Sequence, residues 1–223
     1  MAVATPALIF DFDGTLIDSA PAILATHAAV LAQYGLQPKL PLTRELIGPP
    51  LPDTLSRLSG VAPGPSLDAM VTTFKSIYDE TSYRATELYP GIASLLSGLQ
   101  AAGYSLFVAT NKRLHPTLLL LDMFGLQRLF AGIYALDLVQ PPYQDKATML
   151  KALLAERRLA AEQCLYVGDT CHDEKASGAA GIAFVGVAWG YGVGEQQVSS
   201  GAQVVQTATE LHELVGRWSA RQD

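Results

Sequence analysis

From Ala7 to Phe10 every side chain is apolar, and the run then stops on Asp11-Phe12-Asp13-Gly14-Thr15. A short unbroken apolar run predicts a strand buried on both faces, and strand geometry sends Asp11 and Asp13 to the same side. Ser19-Ala20-Pro21 next supplies an N-cap and a proline suited to a first helical turn. Ile23, Leu24, His27, Val30, Leu31 and Tyr34 recur at helical spacing up to Gly35, and a second helical pattern runs from Ser66 through Leu67, Met70, Val71, Phe74, Ile77 and Tyr78. Prolines break the chain between them, with a short helical piece expected near Thr54 to Ser59. No buried strand is expected between Ile17 and Glu87, so the region reads as a small helical insertion.

After Tyr89-Pro90-Gly91 helix and strand alternate. Strands are expected over 104–109, 133–136, 165–167, 182–188 and 204–205, and helices over 92–101, 116–124, 146–158 and 209–218. This order predicts an α/β fold, a doubly wound parallel sheet formed by 1–16 and 88–223, with 17–87 as an inserted helical cap domain. Right-handed crossovers then put all strand C-terminal ends along one edge, where open α/β sheets bind ligands. Polar residues do fall at those ends: Asp11 and Asp13, Thr110 and Asn111, Asp169 and Asp173.

Composition narrows the partners. The 223 residues are 49% hydrophobic and carry a net charge of −6 without any block of Lys or Arg, which argues against nucleic acid and anionic membrane surfaces. No segment approaches the apolar length of a membrane span. The two cysteines, Cys164 and Cys171, make no disulfide framework and no metal pattern, and a reducing cytoplasm is the expected location.

The strand-end residues suggest a chemistry. Gly14 permits a sharp turn that brings backbone N–H groups near an anion, and the hydroxyl of Thr110 with the backbone N–H at Asn111 suits phosphoryl oxygens. In Gly168-Asp169-Thr170-Cys171-His172-Asp173, two carboxylates four residues apart can converge on one hard cation, and magnesium favours such oxygens. His172 reads as a loop side chain at the rim of the site, since magnesium prefers oxygen. Carboxylates crowded at one edge repel unless cations intervene. Besides a divalent metal, Lys146 is one candidate cation, at the start of a helix beside the same edge, and Lys112 is its competitor.

Together these pieces resemble the haloacid dehalogenase superfamily over nearly the whole chain. Asp11-Phe12-Asp13-Gly14-Thr15 resembles its first motif, Thr110-Asn111 its second, Lys146 its third, and Gly168-Asp169 with Asp173 its fourth. The resemblance implies a Mg2+-dependent phosphatase of small phosphorylated metabolites, in which Asp11 attacks phosphorus and Asp13 protonates the leaving alcohol, then activates water. It also implies metal binding by Asp11, Asp13, Asp169 and Asp173, and phosphate binding by Gly14, Thr110, Asn111 and Lys146. Arg44, Lys112 and His172 are candidates to meet the polar end of a substrate. The second aspartate favours ester cleavage over halide release, because a halide leaves without a proton. Ile47-Gly48-Pro49-Pro50-Leu51 and Gly190-Tyr191-Gly192 resemble a phosphoglycolate phosphatase or nucleotidase subgroup. The alternatives are a phosphomutase and, in another class, a catalytically idle binding protein, whose mark would be loss of Asp11 or Asp13.

Overall fold

The computed structural model describes residues 6–192 and 197–220. It divides into two compact units, Met1–Asp18 with Leu88–Asp223, and Ser19–Glu87.

The first unit is built on β1 (Ala7–Phe10), whose four side chains are fully buried. Around it lie β4 (Ser105–Thr110), β5 (Phe130–Ala135), β6 (Cys164–Gly168), β7 (Ala183–Val187) and β8 (Val204–Val205), in the spatial order β5-β4-β1-β6-β7-β8. Every neighbouring pair is parallel, giving the expected doubly wound α/β sheet. The connecting helices are α4 (Ile92–Ala101), α5 (Leu114–Met123), α6 (Lys146–Arg157), α7 (Cys171–Ala179) and α8 (Ala208–Ser219).

Register decides where the functional segments emerge. Phe10 is level with Val108 on one side and Val167 on the other, so Asp11, Ala109 and Gly168 follow in one row. Ala7 and Ile9 pack on one face with Phe107, Tyr166, Met149, Leu150 and Leu153, the last three from α6. Continuing the alternation sends Asp11 to that same face.

The second unit holds α1 (Ala20–Gln33), α2 (Leu51–Ser59) and α3 (Pro65–Glu80) around Val30, Leu31, Leu55, Leu58, Met70, Phe74 and Tyr78. The His27 ring packs 4.7 Å from that of Phe74. Tyr34 departs from its expected place on the apolar face: it is 39% exposed, and its hydroxyl pairs with Thr73 at 3.1 Å. A tyrosine at a helix end can satisfy the periodicity and still leave its polar tip in water.

Four elements differ from expectation. Two-residue strands, β2 (Ile17–Asp18) and β3 (Glu87–Leu88), pair with each other and are too short to show a period. β5 starts at Phe130 rather than 133: its first residues, Phe130-Ala131-Gly132, are at most partly buried at the edge of the sheet and include a glycine, which weakens a strand signal. Residues 171–173 are not loop but the first turn of α7, whose small residues Ala176, Ser177, Gly178 and Ala179 conceal any apolar stripe.

Candidate active site

Asp11 follows β1 with its backbone N–H donating to the Val167 carbonyl at 2.9 Å, which extends strand pairing one residue into the polar segment. Its carboxylate lies with those of Asp169 and Asp173 in a buried group whose ligand atoms are all within 4.8 Å of one another. Lys146, at the first position of α6, reaches into the group. Its Nζ donates to Asp11 Oδ1 at 2.8 Å and to Asp173 Oδ1 at 2.6 Å. Burying a lone ammonium or carboxylate costs several kcal/mol, so these groups are tolerable only together.

Asp173 is fixed by the helix that sequence patterning missed. Thr170 caps α7 in a reciprocal box: its side chain accepts from the Asp173 N–H, while its own N–H donates back to Asp173 Oδ2 at 3.1 Å. The Thr170 hydroxyl also donates to Asp173 Oδ2 at 2.6 Å, and the Tyr166 hydroxyl lies 3.3 Å from Asp173 Oδ1. A Thr-x-x-Asp pattern opening a segment is the signal that could have revealed this helix start.

Asp169 is 2% exposed and is held at both oxygens. The Thr15 hydroxyl donates to Oδ1 at 3.3 Å and the Tyr191 backbone N–H to Oδ2 at 2.6 Å. Gly14 makes room for it: a Cβ there would lie 2.2 Å from Asp169 Oδ2, and φ is +84°. The Gly14 N–H, suggested above as an anion donor, instead donates to the Ile17 carbonyl at 2.9 Å, which closes the turn.

The remaining positions separate into inner and outer. Asp13 is half-buried and receives Lys112 Nζ at 3.0 Å on Oδ1 and 3.3 Å on Oδ2. The two lysines left as competitors thus have different partners, Lys146 on Asp11 and Asp173, Lys112 on Asp13. Thr110, buried, ends β4 and accepts the Lys112 N–H at 3.1 Å on its hydroxyl. Asn111 is exposed beside it, and His172 is exposed on the first turn of α7. Arg44 belongs to the helical unit, where it is exposed on the 3-10 turn Arg44–Leu46.

Burial dominates the electrostatics. It pushes Asp11 up to about 7, with Lys146 working against the rise and Asp173 and Asp13 adding to it. Burial also raises Asp169 well above the ordinary carboxylate range, reinforced by Asp173 and Asp11. For Asp173 burial pulls the same way, but Lys146 and Thr170 outweigh it and leave the carboxyl low. Lys146 is held well above its usual value: burial opposes its charge, and Asp11 and Asp173 overcome that. Fully ionised, the four carboxylates Asp11, Asp13, Asp169 and Asp173 would exceed the ammonium groups of Lys112 and Lys146 by two negative charges, and the raised Asp11 and Asp169 reflect the cost of burying that excess. An all-oxygen donor set with that excess fits one hard divalent cation such as magnesium.

Comparison with known proteins shows the family. The model of the haloacid dehalogenase-like hydrolases matches residues 8–187. The chain is 36% identical to phosphoglycolate phosphatase of Rhodobacter capsulatus over 191 residues, 83% of this chain and 85% of the relative. It is 31% identical to 5'-nucleotidase of Pseudomonas aeruginosa, covering 86% of each. It is also 33% identical to tyrosine-protein kinase PtkA of Mycobacterium tuberculosis, over 93% of this chain and 70% of the relative. Among solved structures, a predicted phosphatase from Clostridium acetobutylicum superposes with a TM-score of 0.83 at 23% identity, covering 96% of this chain and 100% of the other, a likeness of fold. With its first strand, its acidic strand ends and its helical unit all inside or alongside the matched span, the chain belongs to the haloacid dehalogenase-like hydrolases.

Proposed function

We propose that this protein hydrolyses small-molecule phosphate monoesters through a covalent acyl phosphate on Asp11. The observation that carries the reading is the buried group of Asp11, Asp169 and Asp173 at the C-terminal edge of the sheet, with Lys146 bonded to Asp11 and Asp173. Asp11, Asp169, Asp173 and the Asp13 segment are the residues that would hold Mg2+. When bound, the metal would neutralise charge between a carboxylate nucleophile and an anionic phosphate.

The steps of the chain's own residues follow. A carboxylate oxygen of Asp11 attacks phosphorus as the bond to the leaving alcohol oxygen breaks, and Asp13 gives that oxygen a proton. Asp13 then takes a proton from water, whose oxygen attacks phosphorus and frees Asp11 with inorganic phosphate. Lys146 and Thr110 would meet the transferring oxygens, a role supported by the bonds that hold each of them before substrate arrives. The relatives' names support a small phosphorylated metabolite such as phosphoglycolate or a nucleoside monophosphate.

A panel of phosphate monoesters assayed for phosphate release with and without Mg2+ tests the reading. Release that needs Mg2+ is expected with at least one small ester, and a panel that yields none would sink it. The likeness to PtkA favours a second reading, transfer from Asp11 to a hydroxyl other than water's. Appearance of label on an acceptor in place of inorganic phosphate would select it.

A further inference from the structure

The turn after β7, Trp189-Gly190-Tyr191, takes no part in the steps above, yet it is fastened to the site at three points. The Trp189 Nε1–H donates to the Thr15 carbonyl at 3.0 Å. The Tyr191 N–H donates to Asp169 Oδ2 at 2.6 Å, shorter than the 3.3 Å bond from Thr15 to Oδ1. The Tyr191 hydroxyl donates to Asp18 Oδ1 at 3.0 Å, at the end of β2. Between the two aromatic residues a Cβ on Gly190 would lie 2.3 Å from both Asp169 Cβ and the Gly14 carbonyl oxygen, so the turn approaches at a distance only glycine allows. The Tyr191 ring is 2% exposed and stands beside Gly14, its Cδ2 2.9 Å from where a Cβ would be.

We infer that Tyr191 is a positioning residue for the metal-binding carboxylate Asp169: its hydroxyl, anchored on Asp18, holds its own backbone N–H against Asp169 Oδ2. Asp169 Oδ1 is oriented by Thr15, so the pair of donors fixes the plane of the carboxylate and the direction of its remaining lone pairs. Groups that orient a metal's ligands commonly change metal affinity by 10–100-fold when lost. The Tyr191→Phe change keeps the ring, the backbone and the N–H donor, and removes the hydroxyl that is anchored on Asp18. The inference rests on the Mg2+ reading given above.

The test is calorimetric titration of the full chain with Mg2+ alone, on wild type, Tyr191→Phe, Asp18→Ala and the double variant. Tyr191→Phe is expected to bind Mg2+ about tenfold more weakly. The double variant should be no weaker than the weaker single one, because both changes break the same bond. Phosphate release by Tyr191→Phe should return to within about twofold of wild type at saturating Mg2+, a rescue that a general loss of structure would not give. Equal Mg2+ affinity in wild type and Tyr191→Phe would overturn the inference and leave the proposed function standing. Losses that multiply in the double variant would also overturn it. A wild type that binds no Mg2+ would overturn both.

Discussion

The acidic edge of the sheet and the interior of the helical unit both bury polar groups, and they treat them in opposite ways. At the edge, Asp11, Asp169, Asp173 and Lys146 are each 8% exposed or less, and each has hydrogen-bond partners drawn from distant parts of the chain. In the helical unit, His27 Nδ1 and the hydroxyl oxygens of Thr54 and Thr86 are buried with no hydrogen-bond partner among the described residues. α7 opens on a reciprocal cap, whereas α2 and α3 have no side-chain cap. One region spends packing on holding charge in place, and the other relies on apolar contact around Leu55, Leu58 and Phe74 while tolerating orphaned polar atoms. Buried charge retained at such cost points to chemistry rather than stability.

The contrast can be broken first at the nucleophile. Asp11→Asn should lower phosphate release by about 10⁴-fold or more, as loss of a covalent nucleophile does. Its urea midpoint should hold or rise, since Lys146 keeps its bond to Asp173 while a carboxyl whose charge is disfavoured by burial and by neighbouring carboxylates is removed. A large loss of stability with little loss of rate would make Asp11 structural. Lys146→Met should cost about 3–5 kcal/mol in urea unfolding without divalent ions, because Asp11 and Asp173 are then left facing each other. Added Mg2+ should restore part of that stability.

His27 probes the other region. Burial lowers its pKa to about 4 from an ordinary 6.5. The unfolded chain therefore binds the proton more readily, so stability from this group is complete above pH 6.5 and lost as pH falls toward 4. The loss should reach about 2–3 kcal/mol near pH 4.5, read as a fall in the urea midpoint of the helical signal. His27→Leu should flatten that dependence, and an unchanged slope would show that His27 is not the group responsible. The smallest effect is expected at Thr170→Ala, about 1 kcal/mol from the lost cap, measured by thermal unfolding.

The sheet was legible because each of β1, β4, β6 and β7 is a compact apolar run ending in a polar or glycine signal, and a parallel order brings those ends to one edge. The convergence of Asp11, Asp169 and Asp173 was legible for the same reason. α7 was not, since Ala176 and Ser177 bury small surfaces that carry no period. The partner of each lysine was also hidden. Lys112 and Lys146 both stand near helix starts, and only the fold shows Asp13 bound to one and Asp11 and Asp173 to the other. Tyr191 was singled out within Gly190-Tyr191-Gly192, but its bonds to Asp169 and Asp18 link positions 22 and 173 residues away, beyond the reach of local patterning.

The central claim is the bond between Asp11 and phosphorus, and rapid acid quench with a phosphate ester labelled at phosphorus tests it most directly. In the presence of Mg2+ the label should remain on the wild-type chain, map to Asp11, be released by hydroxylamine as an acyl phosphate is, and be missing from Asp11→Asn. Label on another residue, or phosphate release by Asp11→Asn at the wild-type rate, would contradict the account.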